Sequence, residues 1–111
     1  MVEGDTWGQD PQVRYMRRVF AQMGNIQEDM LQRLNVSPFD YRLRRIRAFA
    51  LRLFEKTWVE ALNRRIVNNE EESAALYARC LAKALTANRI EVPQNILPEN
   101  KEIDKFLAAF Q

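Results

Sequence analysis

The chain contains no histidine and only one cysteine, Cys80. Without histidine, Ser-His-Asp and Cys-His catalysis fall away, together with most zinc chemistry and the commonest general base. With one cysteine there is no intramolecular disulfide and no cysteine-based zinc site. The free thiol favours a reducing compartment. Three glycines and four prolines are too few for a β-rich fold full of tight turns, and none of the glycines forms a phosphate-cradling loop. No run of about 18 apolar residues is present, so no segment reads as a membrane span. The start, MVEGDTWGQD, has two acids before Asp10 and no base. It resembles neither a secretory signal nor a transit peptide, so the expectation is a cytoplasmic protein, with import through an internal basic helix left open. A 111-residue chain that is 47% hydrophobic can fold as one domain, residues 1–111, with a thin core and little room for a deep pocket.

What the chain does have is helical periodicity. Residues 1–9 read as a loose tail. Asp10-Pro11 is a helix start, an N-cap followed by proline at the first position. Val13, Met16, Val19/Phe20 and Met23 then recur at spacings of three and four. Gly24-Asn25 interrupts that pattern, and Ile26, Met30, Leu31 and Leu34 resume it. This predicts two helices, or one broken helix, over 11–34. Ser37-Pro38-Phe39-Asp40 is the next start, with Asp40 as a weaker capping-box partner. It predicts a helix from there to about Val67. Its apolar positions are Leu43, Ile46, Phe49, Ala50, Leu53, Phe54, Trp58, Ala61, Leu62 and Ile66. So wide an arc belongs at the centre of a bundle or is shared with a partner. Asn69 caps a further helix whose first turn, Glu70, Glu71 and Glu72, complements the helix dipole rather than binding metal. Tyr77, Leu81, Ala84 and Leu85 form its face, and Cys80 reads as a small buried hydrophobe. Residues 89–97 are irregular before Pro93 and Pro98. Pro98 opens a last helix with Ile103, Phe106, Leu107 and Phe110 on one side. The expected fold is all-α: four to five helices around one long basic central helix.

The charge is polarised. The chain is +2 overall, yet residues 38–66 alone hold eight of the 17 basic residues against three acids. The flanking segments are mildly acidic. Arg42, Arg44, Arg45, Arg47, Arg52, Arg64 and Arg65 are therefore candidates for contact with an anion, a lipid headgroup or a partner chain, because guanidinium groups grip phosphates and carboxylates bidentately. The alternative is a solvated helix face whose long stems cover apolar neighbours. A membrane-surface helix would need Phe39, Phe49, Phe54 and Trp58 exposed, whereas the periodicity places them in the core. Phe54 and Trp58 are the candidates for packing against a partner. No helix-turn-helix, RNP or zinc-finger spacing occurs, and a nucleic-acid domain is usually basic more broadly. Neither Glu55/Glu60 nor Glu99/Glu102 makes a convincing acid/base pair. No catalytic residue, metal or cofactor is expected, and the chain reads as a non-enzyme.

Glu60-Ala61-Leu62-Asn63-Arg64-Arg65 and Leu97-Pro98-Glu99-Asn100 resemble segments of the subunit 7 family of the mitochondrial cytochrome bc1 complex, the ubiquinol–cytochrome c reductase binding protein. Arg79, Lys83, Ala84 and Leu85 are similar to the family's helix between them. Where the family has Leu-Pro after the first segment, this chain has Ile66-Val67. The resemblance implies a non-catalytic accessory subunit, peripheral on the matrix side of the mitochondrial inner membrane, with other protein subunits as partners. It also implies that Arg64, Arg65 and Arg79 face partners or lipid. Asp40-Tyr41-Arg42 and the arginine-rich helix after it are similar to the Leu-Tyr-Arg motif proteins, which bind acyl carrier protein. The competing expectation is a soluble helical module whose arginine face binds nucleic acid or an acidic protein such as acyl carrier protein.

Overall fold

The structure is a computed structural model, and it describes residues 10–110; the expected tail, residues 1–9, lies outside them. Four α-helices follow in order: α1 (Pro11–Arg33), α2 (Leu43–Asn63), α3 (Glu70–Ala87) and α4 (Lys101–Ala109). A short 3-10 turn, Gln94–Ile96, lies between α3 and α4, and no strand occurs among the described residues. None of these helices is long and apolar enough to cross a membrane.

Helix α1 starts as its sequence dictates, with the Asp10 carboxylate accepting from Gln12 N and Pro11 in the first turn. It then runs through Gly24 unbroken. A glycine inside a helix costs about 1 kcal/mol, and the buried Val19, Met23 and Met30 on either side outweigh that.

The expected start of the second helix is corrected. Ser37 Oγ accepts from Phe39 N, closing a local turn. The Asp40 carboxylate binds the Arg42 backbone and guanidinium rather than reaching back to the cap. The helix therefore begins only at Leu43. It also ends at Asn63, short of Val67, because Arg65 adopts a left-handed conformation with φ 58°. Asn35 and Arg89 do the same after α1 and α3. In each case the next residue's N–H returns to a carbonyl in the last turn: Val36 to Leu31, Ile66 to Ala61, Ile90 to Leu85. These are Schellman endings built without glycine. Helix α4 likewise starts three residues after Pro98, where Asn100 caps it by accepting from Ile103 N.

The central element is α3 rather than the basic helix. Its mixture of alanine and leucine lets it be buried over ten positions, among them Leu76, Leu81 and Leu85. Both α1 and α2 pack against it, while they approach each other much less closely. On another side the chain returns along α3, with Val92 near Thr86, Leu97 near Ala78 and then α4. Ile103, Phe106 and Leu107 of α4 are buried.

Candidate interaction surfaces

An aromatic ladder stands where the three long helices meet. Tyr15 of α1 stacks on Trp58 of α2 at 6.5 Å, Trp58 on Phe54 at 5.0 Å, and Phe54 meets Tyr77 of α3 edge-on at 5.7 Å. Hydrogen bonds fix the rings. Trp58 Nε1 donates to Ser73 Oγ at 2.9 Å, Tyr15 Oη lies 3.1 Å from the same hydroxyl, and Tyr77 Oη donates to Gln27 at 2.6 Å. Burial holds the Tyr77 phenol above its ordinary range; Cys80 adds to the effect and nearby Arg47 opposes it.

Above this ladder α1 and α2 splay apart and leave a groove of about 460 Å³. Met16 and Phe20 form one wall, Leu51 and Glu55 the other, and Phe54 and Trp58 the floor. Phe20 is 49% exposed and Leu51 43%. Arg47 stands one turn before Leu51, and Arg17 three residues before Phe20, so the groove's surroundings are cationic by register.

The site candidates separate into distinct groups. Arg44, Arg45, Arg47 and Arg52 are exposed, and among the described residues none forms an ion pair with a carboxylate. Arg42 departs from the expected anion face: it turns inward to Asp40 and donates to Asn88 O at 3.0 Å. Arg64 is engaged by Glu60 at 2.6 Å and lies over the Phe106 ring. Arg65 is exposed, but its position closes α2. Arg79, partner-facing under the family resemblance, is buried instead. It donates to Asp104 at 2.7 Å and to the carbonyls of Ala75 and Pro98. Phe54, expected to pack on a partner, is 1% exposed and belongs to the core; Trp58 is half-buried. Both meet the groove only as its floor.

Two aromatic assignments are corrected in the other direction. Phe39 is 92% exposed and Phe49 40%, although both read as core. Phe39 falls in the turn that displaced the helix start. Phe49 lies at the edge of the core stripe of α2, between Ile46 and the row of Arg45 and Arg52. Leu51 escaped the sequence reading altogether, and Tyr41 entered it only through the Asp40-Tyr41-Arg42 resemblance, not as an exposed ring. Leu51 could have been found, since it stands four residues after Arg47 and seven after Arg44, off the core stripe.

The remaining polar groups are accounted for by folding. Cys80 is buried, 3.8 Å from Thr57 Oγ1, and burial pushes its thiol up to about 11, with the Thr57 contact partly opposing. It is a neutral thiol at neutral pH. Glu70 pairs with Arg18, and Glu72 accepts from Asn68 N, at the start of α3. No three of the carboxylates and the thiol cluster as metal ligands among the described residues. Compared with protein-family models, curated proteins and solved structures, the chain matches none.

Proposed function

We propose that the protein is a non-enzymatic accessory subunit whose α1–α2 groove is completed by an acidic amphipathic helix of a partner chain. The observation that carries this reading is the groove itself. It is an open channel, apolar apart from Glu55 on one wall, between two helices laid on a third, the place a further bundle helix would occupy. Its floor is already fixed by the Trp58–Ser73 hydrogen bond and by the packing of Phe54 on Tyr77, so little ordering remains for binding to supply. Arg17 and Arg47 beside it favour acids on the incoming helix. A second copy of this chain would bring the same cations face to face, which disfavours self-association there.

The test is titration of the full chain with a designed helical peptide carrying leucines at i, i+3 and i+7 and glutamates on its flanks. Binding that Phe20→Ser and Leu51→Ser each weaken, and that a lysine-flanked peptide lacks, supports the reading. Equal binding of both peptides, or none, sinks it. The narrower reading, a subunit of a cytochrome bc1-like respiratory complex, is supported by the sequence resemblance of residues 60–65 and 97–100, with Arg79, Lys83, Ala84 and Leu85 between them. Isolation from the native source in mild detergent tests it. Co-migration with a large haem-containing complex supports it, and a free 13.1 kDa species overturns it.

A further inference from the structure

At the end of the turn between α1 and α2, the charged residues Asp40 and Arg42 are half-buried and the aromatic residues that alternate with them point outward. Asp40 and Arg42 face the protein: the carboxylate accepts from Arg42 N, Nε and Nη2 at 2.8, 3.0 and 2.7 Å. Arg42 Nη1 in turn donates to Asn88 O at the end of α3. The alternate residues, Phe39 and Tyr41, are 92% and 82% exposed. The turn is secured at both ends. Val36 N returns to Leu31 O, and Leu43 N bonds Asp40 O as α2 begins. The exposure of the two rings is therefore imposed by a network of hydrogen bonds. Large aromatic groups more exposed than the charged pair beside them reverse the usual distribution, and such reversals mark interaction sites.

The same end of the molecule is cationic. Arg44 and Arg45 occupy the first turn of α2 and are exposed. Arg89 follows Asn88, the residue to which Arg42 is tied, and is also exposed. Glu91 is the exposed acid nearby in sequence. From Arg45 the line continues along α2 through Phe49, Arg52 and Lys56, at i, i+4, i+7 and i+11.

We propose that this end docks on an anionic lipid bilayer, with Phe39 and Tyr41 entering the headgroup region and Arg44, Arg45 and Arg89 contacting the lipid's anionic groups. Phe39 and Tyr41 are almost wholly exposed and so project from the turn. A fluid bilayer accepts a projecting aromatic tip, whereas a protein acceptor would need a matching pocket. Single-stranded nucleic acid is bound in cationic grooves that track the backbone past stacked rings, and Phe39 and Tyr41 lie in no such groove. A tyrosine suits the interface because its ring is apolar and its hydroxyl stays wet. Aromatic insertion combined with basic side chains is the pattern of peripheral membrane attachment. The site shares no wall or floor residue with the α1–α2 groove, so either can fail without the other.

The experiment is co-sedimentation of the full chain with phosphatidylcholine vesicles, with and without phosphatidylserine. Binding is expected only where phosphatidylserine is present, and it should weaken steeply with salt. Arg45→Gln with Arg89→Gln should weaken it roughly 25-fold, at about fivefold per cation. Phe39→Ser with Tyr41→Ser should weaken it about tenfold or more, with an unchanged helical circular dichroism spectrum, since both side chains are exposed. Phe20→Ser should leave it unaltered, which separates this site from the groove. Failure to bind phosphatidylserine vesicles overturns the proposal, as does binding indifferent to the Phe39 and Tyr41 changes. Binding of a single-stranded RNA oligonucleotide in place of vesicles, lost in the same variants, would reassign the tip to nucleic acid. Competition by inorganic phosphate at vesicle-binding affinity would reduce it to a free-anion site.

Discussion

The two sides of α3 show how differently one chain can use arginine. On the side covered by residues 90–98 and α4, Arg79 is 5% exposed and every one of its named partners comes from the protein: Asp104 and the carbonyls of Ala75 and Pro98. On the open side, α2 carries Arg44 and Arg47 toward the groove and Arg45 and Arg52 on its opposite face, all at the surface without a carboxylate partner among the described residues. A buried guanidinium must have its donors satisfied or the fold loses stability. An exposed one is satisfied by water and adds little to the fold. The charge on the closed side is therefore committed to structure, and that on the open side is free for a ligand. Counting arginines cannot tell the two apart; the carbonyls and carboxylates around each one do.

The largest expected effect falls where the two sides meet. Phe54→Ala removes a ring packed between Trp58 and Tyr77 and should cost about 3–5 kcal/mol. Chemical denaturation monitored by circular dichroism measures it. A loss below about 1 kcal/mol would mean that the ladder is not core and that the groove floor is looser than described. Next comes the closed side. Arg79→Met keeps the buried stem but leaves the Pro98 carbonyl without its donor and takes the second donor from the Ala75 carbonyl, which keeps its helical N–H, for a cost of about 2–3 kcal/mol. Asp104→Asn should cost less than about 1 kcal/mol, since that carboxylate is 60% exposed. Equal losses from the two variants would show that the ion pair, rather than the carbonyl contacts, secures α4.

The all-α class and the helix content were legible because apolar residues recur at spacings of three and four and because Asp10, Asn69 and their first turns carry plain start signals. The ends were less legible. Schellman endings are usually read from a glycine, and here Asn35, Arg65 and Arg89 occupy the left-handed positions. The start at Leu43 was hidden because Ser37-Pro38 with Asp40 spells a cap, while the Asp40 carboxylate finds a closer partner in Arg42. Of the surfaces, the arginine concentration on α2 was visible in the sequence. The groove was not, because it depends on how far α1 stands from α2, which no one-dimensional pattern encodes. Arg79 was misread for a related reason: its partners lie 19 and 25 residues further along the chain.

The open side predicts a dissociation of stability from binding. Phe20→Ser alters a half-exposed wall and should change stability by no more than about 1 kcal/mol. Its effect on binding of the acidic helical peptide should be far larger. Thermal melts and peptide titration on the same preparation check both. A large loss of stability would place Phe20 on the core's side of the comparison and remove the groove as a preformed site.

The smallest effect concerns the turn that presents Phe39 and Tyr41. The Arg42 side chain, and then its backbone N–H, hold the Asp40 carboxyl at about 2, below its ordinary 3.8, against a smaller opposing effect of burial. Because the folded state has the lower value, it favours the ionised carboxylate. The pair's contribution is then complete above pH 3.8, declines as the pH falls below that, and is gone once the pH passes below about 2. The melting temperature of the native chain minus that of Asp40→Asn should accordingly be constant from neutral pH down to about 4 and narrow toward zero below it. A difference that stays constant into strong acid would mean that the carboxylate is not what shapes the turn. In that case the outward placement of the two rings would have to rest on the backbone bonds from Val36 and Leu43 alone. Vesicle binding by Asp40→Asn at neutral pH separates these cases. Weakened binding shows that the Asp40–Arg42 pair positions the aromatic tip, and unchanged binding shows that the backbone suffices.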